Sequence, residues 1–99
     1  MKIAVFHGGE AALRILTSDD GVLLWHRRGL DVGVFSHGDG LRVEIGNMYI
    51  DMDGGFVTLT FRGEVRRFEV KGGVLYEGER EEGNYTTVAM GPYIVLLVV

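Results

Sequence analysis

Between Leu41 and Tyr76 apolar and polar residues alternate, and a glycine-bearing pair interrupts the alternation at each break. The segments LRVEI, MYIDMD, FVTLTFR, VRRFEVK and VLY are separated by Gly46-Asn47, Gly54-Gly55, Gly63-Glu64 and Gly72-Gly73. A period of two marks strands with one dry face. Two-residue hairpin turns need positive φ, which glycine and asparagine adopt at little cost. The stretch therefore predicts an antiparallel meander of five strands.

The turns also predict its register. Gly46-Asn47 sets Ile45 opposite Met48, Val43 opposite Ile50 and Leu41 opposite Met52. Gly54-Gly55 sets Met52 opposite Val57, Ile50 opposite Leu59 and Met48 opposite Phe61. Gly63-Glu64 sets Leu59 opposite Phe68 and Val57 opposite Val70, and Gly72-Gly73 sets Val70 opposite Leu75. All four turns place the apolar sets on one face, and a slip of one residue at any of them would turn a strand inside out. One mismatch remains, Phe61 opposite Arg66. The other face carries Arg42, Asp51, Thr58, Glu69 and Tyr76 in one row and Glu44, Tyr49, Thr60 and Arg67 in another. Such cross-strand charges and threonines suit a solvated sheet face; the competing reading is a polar binding platform.

The rest of the chain repeats the pattern less cleanly. Lys2–Phe6 is an apolar strand broken by His7-Gly8-Gly9. Glu10–Leu16 has the composition of a helix. Strand, Gly-Gly, then helix would open a phosphate-binding unit, but the full glycine fingerprint is absent. Asp19-Asp20-Gly21 fits a turn closed by a glycine bulge, leading into Val22–Arg28. An Arg28-Gly29 turn would then place His26 opposite Asp31. Leu30–Ser36 reads as a strand with Gly33 as a bulge, and 37–40 as a loop. The acidic segment 77–84 reads as an exposed loop. Tyr85–Met90 alternates again, Gly91-Pro92 turns the chain, and Tyr93–Val99 ends it. The expected fold is all-β: one domain, residues 1–99, of about ten short antiparallel strands forming a sandwich or barrel. The alternative is α+β, with a short helix near residues 10–17 or 19–28.

Composition narrows the function. The chain has 99 residues, 46% of them hydrophobic, which suits a single core. It has no cysteine, which removes disulfides and thiolate metal sites. A net charge of −4 disfavours a general nucleic-acid binder. The apolar start is too short for a signal peptide and the apolar end too short for a membrane-spanning helix, so we expect a cytoplasmic protein with no membrane partner.

Candidate chemistry is sparse. His7, His26 and His37 lack the spacing of a metal site. Asp51-Met52-Asp53-Gly54-Gly55 resembles the start of a calcium loop, but Arg62 stands where the closing glutamate belongs. Neither Ser18 nor Ser36 lies in a nucleophile elbow. Asp19-Asp20 is explained by its turn. These observations name no catalytic residue, metal ligand or cofactor and lean away from an enzyme.

The recognition candidate is Trp25-His26-Arg27-Arg28, an aromatic beside cations; the alternative places Trp25 in the core. Tyr93–Val99 lacks alternation, so both of its faces read as dry, and Leu97, Val98 and Val99 are interface candidates. The leading expectation is a non-catalytic binding or assembly protein that self-associates through this C-terminal strand, with another protein as the other partner class. A small-ligand-binding barrel lined by Met48, Met52, Phe61 and Phe68 is the alternative. Nucleic-acid binding through Arg28, Arg66 and Arg67 is a lesser one.

Overall fold

The computed structural model describes residues 1–99 and contains twelve strands and no helix. They are β1 (Lys2–His7), β2 (Glu10–Ser18), β3 (Gly21–His26), β4 (Val32–His37), β5 (Gly40–Ile45) and β6 (Met48–Asp53). There follow β7 (Phe56–Phe61), β8 (Glu64–Lys71), β9 (Val74–Glu77), β10 (Arg80–Gly83), β11 (Tyr85–Met90) and β12 (Tyr93–Val98). They form two antiparallel sheets, ordered β11-β12-β1-β2-β3 and β10-β9-β8-β7-β6-β5-β4. Within each sheet, consecutive strands lie side by side, and β12 returns to β1. The ring of pairings breaks at two corners, β3/β4 and β10/β11, where the chain passes from one sheet to the other. The result is a sandwich and not a closed barrel.

The layers meet through one cluster of seventeen buried side chains, all apolar. Ile3, Val5, Leu13, Ile15, Val88, Val95 and Leu97 face inward from the five-stranded sheet, and Val43, Ile45, Met48, Ile50, Leu59, Phe68 and Leu75 from the seven-stranded one. At one end Tyr93 bridges the layers. Its ring meets Phe61 edge-on at 6.2 Å between centroids, and its hydroxyl abuts Gly46. Gly46 has φ of 56°, which disfavours a side chain, and a Cβ there would press on the Tyr93 hydroxyl. Met48 and Phe68 are fully buried, and Met52 and Phe61 pack on the same cluster. The four residues expected to line a ligand-binding barrel therefore belong to or pack on the core of a two-sheet sandwich, and the barrel expectation is corrected.

Three meander turns have the expected register: Ile45 pairs with Met48, Met52 with Val57, and Val70 with Leu75. The fourth is shifted by two residues. The turn is Arg62-Gly63, with φ of 47° and 82°, so Phe61 pairs with Glu64 and Val57 with Phe68. A type I′ turn accommodates glycine best at its second central position, which Gly63-Glu64 would have given to glutamate. The shift is even, so the faces are unchanged, and Arg66 stands opposite Leu59 instead of Phe61.

Other expectations need correction. Residues 10–18 are strand β2 between β1 and β3, so sheet neighbours override the helical composition. Arg28-Gly29 is no hairpin turn: it lies in the crossover between sheets, and His26 does not pair with Asp31. The register shifts at Ala12 of β2, opposite the Val5-Phe6 step of β1, and between Glu81 and Gly83 of β10, and not at Gly33. The acidic segment expected as a loop holds the hairpin of β9 and β10, with register Arg80–Glu77 and Glu81–Tyr76.

Candidate interaction surface

The outer face of the five-stranded sheet follows from its pairings. Tyr85, Val98, Lys2, Leu16 and Leu23 form one transverse row. Thr87, Leu96, Ala4, Arg14 and Trp25 form the next. Ala89, Ile94, Phe6 and Ala11 form the third. Only Lys2 and Arg14 are charged, both are cationic, and no carboxylate occupies the rows. Leu23 is 71% exposed and Trp25 48% exposed, and Leu16, Tyr85 and Ile94 are also exposed. The Arg14 guanidinium lies 5.2 Å above the Trp25 ring. A concavity of about 470 Å³ runs over this face, lined by Ala4, Leu16, Leu23, Trp25, Leu96 and Val98 and rimmed by Lys2 and Arg14.

Five strands about 4.8 Å apart and about 20 Å long cover roughly 480 Å². Contiguous apolar patches of several hundred Å² are often functional. Burying one such large apolar side chain contributes about 1.5–3 kcal/mol. The open face thus forgoes several kcal/mol that a covering layer would supply.

The outer face of the seven-stranded sheet differs. Arg42 donates two hydrogen bonds to Asp51, Nε–Oδ1 at 2.7 Å and Nη2–Oδ2 at 3.1 Å, and lies over the Tyr49 ring. The bond to Asp51 holds the Arg42 guanidinium above its ordinary pKa. Arg67 covers Phe56 at 4.1 Å, and Lys71 reaches Glu69 and the Tyr76 ring. Its exposed apolar members, Phe35 on β4 and Val65 on β8, stand four strands apart.

The recognition candidates are dispersed. Trp25 points outward from β3 and belongs to the apolar face, not to the core. His26 ends β3, its Nδ1 3.0 Å from the Arg27 carbonyl oxygen. Arg27 donates to Glu10 at 2.9 Å, and Arg28 stands exposed in the crossover. Arg66 lies on the inward side of β8, where Leu59 is its pairing partner, and donates two bonds of 2.8 Å to Glu77. That bond from Arg66 pulls the Glu77 carboxyl below the ordinary glutamate range. Arg67 lies on the opposite side of the same strand. Arg28, Arg66 and Arg67 therefore occupy three separate surfaces.

The interface candidates also separate. Leu97 is 0% exposed and belongs to the core, Val98 faces outward, and Val99 follows the strand end. The outward positions Ile94 and Leu96 complete the β12 stripe. One signal could have found the rest of the surface: β1 and β3, like β12, are apolar at consecutive positions, as strands covered on both sides are. Comparison of the chain with protein-family models, with curated proteins and with solved structures gives no match.

Proposed function

We propose that this is a non-catalytic assembly protein whose working surface is the outer face of the five-stranded sheet, and that a second copy of the chain covers it. One observation carries the proposal: this sheet is apolar on both faces, whereas its companion is apolar only inside. A sheet dry on both sides belongs in the middle of a layered structure, and stacking two copies outer face to outer face supplies the missing layers. Lys2 begins β1 at the rim, and its aliphatic stem can lie on the surface while the ammonium reaches water. Arg14 keeps its place on Trp25. A stack of two such faces covers about 1,000 Å² in total, the lower bound for a specific interface, so the face alone supports a reversible pair. Light scattering after size exclusion across a concentration series tests this. We expect mass above 10.9 kDa, rising with concentration. A uniform 10.9 kDa species up to high micromolar concentration would remove self-association from the account.

A small amphipathic anion is the second candidate occupant, favoured by the two cations beside the apolar concavity. Titration of a medium-chain fatty acid against Trp25 fluorescence tests it; saturable quenching lost in Arg14→Ala supports it, and an unchanged signal rules it out.

A further inference from the structure

Strand β3 is an open edge of the five-stranded sheet. It pairs only with β2, and β4, the next strand in sequence, is the edge of the other sheet. Half of its backbone N–H and C=O groups therefore point away from any protein partner. Its sequence, Gly-Val-Leu-Leu-Trp-His, carries no formal charge and no proline, so it lacks the devices that blunt an edge. Val22, Leu23 and Trp25 are all exposed. By contrast, edge strand β10 has four residues, three of them charged.

The charges flanking β3 have opposite sign. Asp19 and Asp20 precede it, and Arg27 and Arg28 follow it. Antiparallel pairing of β3 with a second β3 about a two-fold axis brings the acidic end of each copy to the basic end of the other. Such an axis stands perpendicular to the sheet, so outward residues meet outward residues. We propose that β3 is a strand-pairing site for a second copy of this chain, centred on Leu24. Leu24 then faces Leu24 of the second copy, Leu23 faces its Trp25, Val22 faces its His26, and Asp20 faces its Arg28.

The register is chosen by the ion pairs. Asp20 and Arg28 are exposed, and neither takes part in an ion pair within the subunit. A register shifted by one step sets Asp19 against Arg27, which Glu10 already engages. The other open edge near this corner, β4, is flanked by Asp31 and Asp39, so its self-pairing would bring acid to acid. Complementarity thus selects β3 over β4. Joining two β3 strands makes one continuous sheet of ten strands and doubles the apolar outer face.

This deepens the self-association proposed above and rests on it, but uses a different surface, so the two are separable. The test is a charge swap read by sedimentation velocity across a concentration series at low salt, with circular dichroism to confirm folding. Asp20→Arg and Arg28→Asp should each weaken association by about tenfold or more, and the double variant should return it to within about threefold of wild type. The chain has no cysteine, so Leu24→Cys reports without background and should give a covalent dimer on mild oxidation. Single charge variants that associate like wild type, together with dispersal by Leu96→Asp, would retain face stacking and overturn edge pairing. Singles that weaken association without rescue in the double variant would overturn the register. A wild type monomeric at every concentration would overturn both.

Discussion

The two outer faces of this sandwich are built from the same period and treated oppositely. On the seven-stranded sheet the outward positions hold Arg42–Asp51, Lys71–Glu69 and Arg67 over Phe56, so charge meets charge or covers an aromatic ring. On the five-stranded sheet they hold Leu16, Leu23, Trp25, Leu96 and Val98, with two cations and no acid to answer them. Five of the ten large apolar side chains exposed on the subunit lie on this second face, against two on the first. Scattered exposed apolar residues are normal on a protein surface; a face in which they adjoin is not. The difference teaches that one outer face is finished with charge while the other leaves adjoining apolar side chains open, which is what the proposed assembly would cover.

The comparison can be tested by substitution, beginning where the effect is largest. Leu97→Ala removes a fully buried side chain and should cost about 2–5 kcal/mol, read as a fall in melting temperature that persists when the protein is diluted. A loss that vanishes on dilution would place Leu97 in an interface. The Arg66–Glu77 pair marks where the apolar inner face gives way to charge. Glu77 has its pKa lowered in the folded state, so its contribution is present above the unfolded value and is lost as pH falls through the folded one. From about pH 4.3 downward, wild type should lose stability faster than Glu77→Gln, and the two curves should converge in strong acid. Arg66, whose pKa is raised, stays cationic throughout this range. Parallel denaturation curves would show the pair to be inert. The smallest effect is expected on the polar face, where Thr60→Lys should change stability by no more than about 0.5 kcal/mol and leave the solution mass unaltered. A change of mass there would mean that the wrong face had been assigned to assembly.

Much of this architecture was legible in the chain because turns and alternation are local signals. Gly46-Asn47, Gly54-Gly55 and Gly72-Gly73 are flanked by alternating segments, and their registers follow from the turns alone. Arg62-Gly63 was misplaced because two overlapping pairs each contain the glycine and both preserve the faces. The first third of the chain was harder. Residues 10–16 have helical composition, and what makes them a strand is pairing with β1 and β3. The closure of β12 on β1 joins the two ends of the chain, and no local pattern encodes it. Arg28-Gly29 has the composition of a hairpin turn yet spans the gap between sheets. The surface itself was half visible. The run Tyr93–Val99 has no alternation, which pointed to burial on both sides. It also has no polar residue to mark its phase, so Leu97 could not be told from Leu96 until the strand was seated between β11 and β1.

Leu96 and Leu97 adjoin in sequence and face opposite ways, which makes Leu96→Asp the most direct test of the outer face. The measurement is its solution mass by light scattering, with circular dichroism on the same sample. The account predicts a folded protein lighter than wild type at the same concentration, with any residual association carried by the β3 edge. A folded Leu96→Asp variant with the wild-type mass would contradict it.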